Sequence, residues 1–178
     1  MKKRFLRWQL VGIIFTIIAG VILHFVFEWS GNSILVAPFS GVNESVWEHL
    51  KLIFFPMVVY GVFEFRIFKE MKTFWSIKLK GMLLGIVLIP VLYSLYNGVI
   101  GKSPDWINIS IFVISVIVAY SYEVMLYEKL KEKEGQEKKA IVLIVFIAFL
   151  FILFTFAPLK FEIFKDPMTG EYGITFKN

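Results

Sequence analysis

The stretch Leu10-Val-Gly-Ile-Ile-Phe-Thr-Ile-Ile-Ala-Gly-Val-Ile-Leu-His-Phe-Val26 decides the fold. It is apolar for long enough to carry a helix across a bilayer, and Lys2, Lys3, Arg4 and Arg7 stand in front of it. A cleaved leader would have a shorter apolar core ending in small residues, so the expectation is a retained first span over residues 8–27. The whole chain agrees with that reading. Mean hydropathy is +0.73 and only 19% of the 178 residues are charged, against roughly a quarter in soluble domains. The solvent implied for most of the surface is lipid.

Working outward, four further apolar runs predict spans at 43–65, 81–97, 107–127 and 140–157, followed by a tail at 158–178. The expected fold class is thus an all-α integral membrane protein, a single domain built as a bundle of five transmembrane helices. The second span begins at Asn43 or at Ser45, where Ser45-Val-Trp-Glu48 has capping-box spacing, and it contains Pro56. Residues 66–80 carry Arg66, Lys69, Lys72, Lys78 and Lys80 around Trp75, as an amphipathic stretch on the membrane surface would. In the third span, Gly81 and Gly85 are spaced for close helix approach, and Pro90 is a second kink position. The tail predicts a short hairpin, 161–164 against 172–176, around the turn-forming residues 166–170.

Charge sets the expected orientation. Of 19 Lys and Arg residues, 14 fall before span one, in 66–80 or in 129–139, which puts the N-terminus in the cytoplasm and the tail outside a plasma or inner membrane. All five tryptophans fall at span ends, as an interfacial aromatic belt requires. Because these basic residues flank apolar runs, the net charge of +5 implies a lipid bilayer as partner, not nucleic acid. A second copy of the chain or a membrane partner subunit is the further partner to expect. The absence of cysteine excludes disulfides and thiolate chemistry.

Polar chemistry gathers at the start of span two, in Gly41-Val-Asn-Glu-Ser-Val-Trp-Glu-His-Leu-Lys51. Asn43, Glu44, Glu48 and His49 join His24 and Glu28 of span one at the expected outer face. Imidazole and carboxylate suit zinc, manganese or iron, so a divalent metal is the candidate cofactor, with His24, Glu48 and His49 as its ligands. Glu44 and Glu48 are the candidates for a general base. Against a site stand simpler roles: Glu48 as the capping acid paired with Lys51, and Glu44 as a first-turn acid. Glu64 and Glu123 lie near the inner ends of spans two and four. If they face the bundle, with Tyr60, Tyr120 and Ser121, they form the inner end of a proton or cation path.

Residues 41–56, with His24-Phe25 upstream, Glu64 downstream and Thr169-Gly-Glu-Tyr-Gly173 in the tail, resemble a family of small bacterial multi-pass membrane proteins that carries only a domain-of-unknown-function label. The resemblance implies a bacterial inner-membrane protein in which Asn43, Glu44, Ser45, Trp47, Glu48 and His49 matter, and it supplies no activity. The functions to weigh are binding or transport of an ion or small molecule, a membrane-embedded metal-dependent hydrolase or transferase, and an accessory or sensory subunit.

Overall fold

The computed structural model describes residues 2–130 and 136–174, and within them the chain is all-helical. Five long helices, α1 (Lys2–Trp29), α2 (Val46–Phe68), α3 (Phe74–Val99), α4 (Asp105–Leu130) and α5 (Glu137–Phe156), are followed by a 3₁₀ turn at Glu162–Phe164. Four of them, α1, α3, α4 and α5, are long and apolar enough to cross a membrane. The fifth, α2, is as long as a span needs but carries Glu48, His49, Lys51, Glu64 and Arg66. Its buried charges are offset by partners, Glu48 by Lys51 and Glu64 by Lys78, and 13 of its 23 residues are buried, against six of 28 in α1. Helix α2 is therefore the most buried of the five, packed chiefly between α1 and α3.

The buried stripe of α1 shows how such a bundle inverts the pattern of a soluble protein. Phe5, Gln9, Gly12, Thr16 and Gly20 recur at helical spacing and face inward, while Leu10, Val11, Ile14, Ile18, Val21 and Ile22 face out. Such a surface suits lipid, where large apolar side chains need no burial and the inward face is left to small and polar ones. Pro56 adds a reason for Gly20. It removes the amide that would bond the Leu52 carbonyl, and that carbonyl lies against Gly20, where a Cβ would come within 2.7 Å of it.

Several expectations change. No separate surface stretch occupies 66–80, because α2 runs to Phe68, a tight turn follows, and α3 starts at Phe74. Thr73 supplies no side-chain cap to α3; Glu137 of α5 does so from across the bundle, accepting the amides of Trp75 at 2.8 Å and Ser76 at 3.0 Å. The tail hairpin is reduced to one antiparallel bridge, Lys165 with Tyr172, with a 3₁₀ turn where a strand was expected. Asp166 holds the turn between them, its Oδ1 accepting from Met168 N at 2.7 Å and Thr169 N at 3.3 Å. The end of the predicted hairpin at 175–176 and residues 131–135 of the basic loop lie outside the described residues. Gly81 and Gly85 do permit close approach: a Cβ on Gly81 would strike the Glu123 side chain, and one on Gly85 would meet Ile53 and Ala119.

Candidate functional site

At the end of the bundle where α1 finishes and α2 begins, the loop between them folds back onto α1. Ser40 Oγ accepts from Phe27 N at 3.0 Å and donates to Leu23 O, the two groups that face each other across one turn of helix. A side chain is thus inserted into the ladder of α1 beside His24. Ser45 then caps α2, accepting from Glu48 N at 3.3 Å. The reciprocal half of a capping box is absent, because Ser45 N donates to Asn43 Oδ1 at 2.9 Å. Between the two helices Glu44 is held outward by the tail: its amide donates to Asp166 Oδ2 at 3.4 Å, and Asn43 Nδ2 donates to Gly173 O at 2.9 Å. Gly173 has φ +71, a backbone that favours glycine.

This architecture brings His24, Glu44 and His49 together, with one potential ligand atom of each within 4.8 Å of the others. His24 Nε2 is 3.7 Å from Glu44 Oε1 and His49 Nε2 is 3.6 Å from Glu44 Oε2. The two imidazoles meet edge-on with ring centroids 5.3 Å apart. His49 Nδ1 lies 2.9 Å from the Ser45 carbonyl, which can only accept, so the proton sits on Nδ1 and the Nε2 lone pair points at the cluster. The neighbouring His24 imidazole, helped by His49, holds the half-exposed Glu44 carboxyl below its usual range, against the opposing effect of desolvation.

The other residues singled out in the motif go elsewhere. Glu48 leaves the metal-ligand set expected of it: it is buried, its Oε2 lies 2.6 Å from Lys51 Nζ and accepts from Val42 N at 3.1 Å. Lys51, fully buried, also donates to Ala37 O at 2.9 Å and Thr155 Oγ1 at 2.8 Å. One carboxylate and one ammonium, each with several partners, make a charge-balanced structural pair tying α2 to the loop and to α5. Glu28 is exposed at the end of α1, and Asn43 acts through the backbone contacts already described.

A second cluster lies near the opposite end of the bundle. Glu64 and Glu123 do face inward, and Lys78, which the sequence assigned to the membrane surface, is buried between them. Its Nζ is 2.9 Å from Glu64 Oε2 and 2.6 Å from Glu123 Oε2. Only the second contact is aligned as a hydrogen bond; the first is an ion-pair approach. Gln9 Nε2 donates to Glu64 Oε1 at 2.6 Å. Neither Gln9 nor Lys78 was a site candidate, and the available signal was their spacing, one polar residue near the same end of each of four successive helices. Tyr60 and Tyr120 flank the ammonium, 5.8 and 4.7 Å from it, but Ser121 is exposed and lines nothing. Thr16 and Tyr120 hydroxyls pair at 2.8 Å beyond.

A helical bundle with membrane-capable helices and a polar cluster toward each end defines the class of protein. The chain belongs to a family of unknown function, DUF6512, whose pattern it matches over residues 1–174. No curated protein and no solved structure matches it.

Proposed function

We propose that this chain is a polytopic membrane protein of the ion-binding or transport class, holding a divalent transition metal at His24, Glu44 and His49. The observation that carries the reading is the convergence of three ligand atoms from α1, the loop and α2, with His49 preset in the ligand tautomer. Tetrahedral zinc at about 2.1 Å from each ligand needs ligand atoms roughly 3.4 Å apart; the two imidazole contacts, 3.7 and 3.6 Å to different Glu44 oxygens, are near that spacing, and the triad as a whole, within 4.8 Å, closes by about an ångström on its widest pair to hold the ion. Three protein ligands leave a position open for water, substrate or exchange with a carrier. The half-exposed Glu44 gives the site an aqueous approach. The 14 basic residues in the N-terminal segment, 66–80 and 129–139 favour that approach from outside the cell, with the N-terminus inside, although Lys78 now leaves the surface set.

The hydrolase reading weakens for a specific reason. Its base was to be Glu44 or Glu48, and here Glu44 is spent as a ligand while Glu48 is locked on Lys51. The test is elemental analysis and zinc titration calorimetry on the detergent-purified full chain. Near-stoichiometric metal lost in His24→Ala, His49→Ala and Glu44→Ala is the expected result. Metal content indifferent to all three would sink the reading.

A further inference from the structure

The cluster at the other end of the bundle is built in layers. Gln9, Glu64, Lys78 and Glu123 come one each from α1, α2, α3 and α4 and share one level. One helical turn further toward the chain's N-terminal end, at i±4 from each, stand Phe5, Phe68, Phe74 and Tyr127, all buried. They close over the polar level: Phe5 stacks on Tyr127 at 4.4 Å and meets Phe68 edge-on at 5.3 Å. On the other side lie Gly12, Tyr60, Met82 and Tyr120, with Tyr60 donating to Trp8 O at 2.5 Å. The charged level is thus sealed above and below by aromatic rings.

Inside that seal the charges do not balance. Among the described residues, Lys78 is the cation in contact with either carboxyl, so two carboxylates face one ammonium. The other polar groups around them are neutral: Gln9 from α1, Tyr60 from α2 and Tyr120 from α4, with Thr16 of α1 behind on the Tyr120 hydroxyl. Arg4 sits beyond the lid over the Phe68 ring, and Glu137 of α5 is engaged by the α3 amides. The hydrogen-bond count leans the same way. Glu123 Oε1 and Gln9 Oε1, both fully or almost fully buried, accept from no donor among the described residues. This level has oxygens in excess and is short of protons. An uncompensated charge in such a place is strongly disfavoured, and the Glu48–Lys51 pair shows how the same chain builds a buried ion pair when the purpose is structural.

We propose that Glu64, Lys78 and Glu123 form a proton-binding site, in which the two carboxyls share one proton at neutral pH and the lysine remains an ammonium. Uptake adds one proton from water to a carboxylate oxygen, and release returns it, with no other reactant. The site is independent of the metal centre: Gln9 and His24 are fifteen residues apart on α1, about 22 Å along the axis at 1.5 Å per residue.

Infrared spectroscopy of the full chain in proteoliposomes at neutral pH reads the protonated carboxyl directly, since its carbonyl stretch is separate from carboxylate and amide bands. The wild type should show the band. Both Glu64→Gln and Glu123→Gln should lose it, because either substitution leaves one carboxylate against one ammonium. Lys78→Met should roughly double it, if that variant folds; monodisperse elution of the two glutamine variants is enough for the test. No band in the wild type, or a band that survives in both glutamine variants, overturns the proposal. Glu44→Ala, which serves the metal centre alone, should leave the band in place, so failure of one site would not be mistaken for failure of the other.

Discussion

Lys78 Nζ lies 2.6 Å from Glu123 Oε2, and both side chains are fully buried between helices that a hydropathy profile treats as plain membrane spans. The contact links α3 to α4 beside Gly81, whose missing side chain is what lets Glu123 lie there.

Removing the cation should therefore cost far more than removing one carboxyl. Lys78→Met leaves two acidic groups facing each other and should destabilise the bundle by about 3–5 kcal/mol, as expected when one partner of a buried pair is lost. Glu123→Gln keeps an acceptor for Lys78 and should be close to neutral. Thermal unfolding in detergent, followed by circular dichroism, compares the two; equal losses would contradict this account.

Breaking the other buried pair should unfold without unloading. Glu48→Gln should lower thermal stability, by about 3 kcal/mol where Lys51 is left without its carboxylate, yet leave bound zinc per chain unchanged. Elemental analysis beside the melting curve checks both halves. Zinc loss in the folded variant would return Glu48 to the ligand set.

Gly20 is a packing requirement. A Cβ there would come 2.5 Å from the Phe112 ring and 2.7 Å from the Leu52 carbonyl, and the latter is backbone that cannot step aside. Gly20→Ala should cost about 1–3 kcal/mol, whereas Gly98→Ala, with open space around it near the end of α3, should be neutral or stabilising. The measurement is the difference between the two melting temperatures.

Acid should erase the contribution of Glu44. Its folded carboxyl sits below the ordinary glutamate value of 4.5, so the stabilisation it gives is complete above that value and disappears as pH falls through the lower folded one. With Glu44 half exposed, the effect is under about 1 kcal/mol. The stability gap between wild type and Glu44→Gln, measured with chelator present, should close as pH falls below 4.5. A gap that persists undiminished well below that value would contradict the assignment.

The predicted helices at 8–27, 107–127 and 140–157 lie within or nearly coincide with α1, α4 and α5, because in lipid a long apolar run has no alternative to satisfying its own backbone bonds. Composition and run length alone determined that this is a chain of membrane-capable helices, and that polar chemistry collects between α1 and α2. Which carboxylate joins the histidines was not legible. Glu44 and Glu48 are one turn apart in sequence, and the choice was made by Asp166 and the Gly173 carbonyl of a tail more than a hundred residues away, which turn Glu44 outward while Lys51 takes Glu48. Lys78 was misplaced for the same kind of reason. A lysine beside basic neighbours reads as surface, and only the antiparallel packing of four helices, setting Gln9, Glu64, Lys78 and Glu123 at one depth, gives it two carboxylates to bury against.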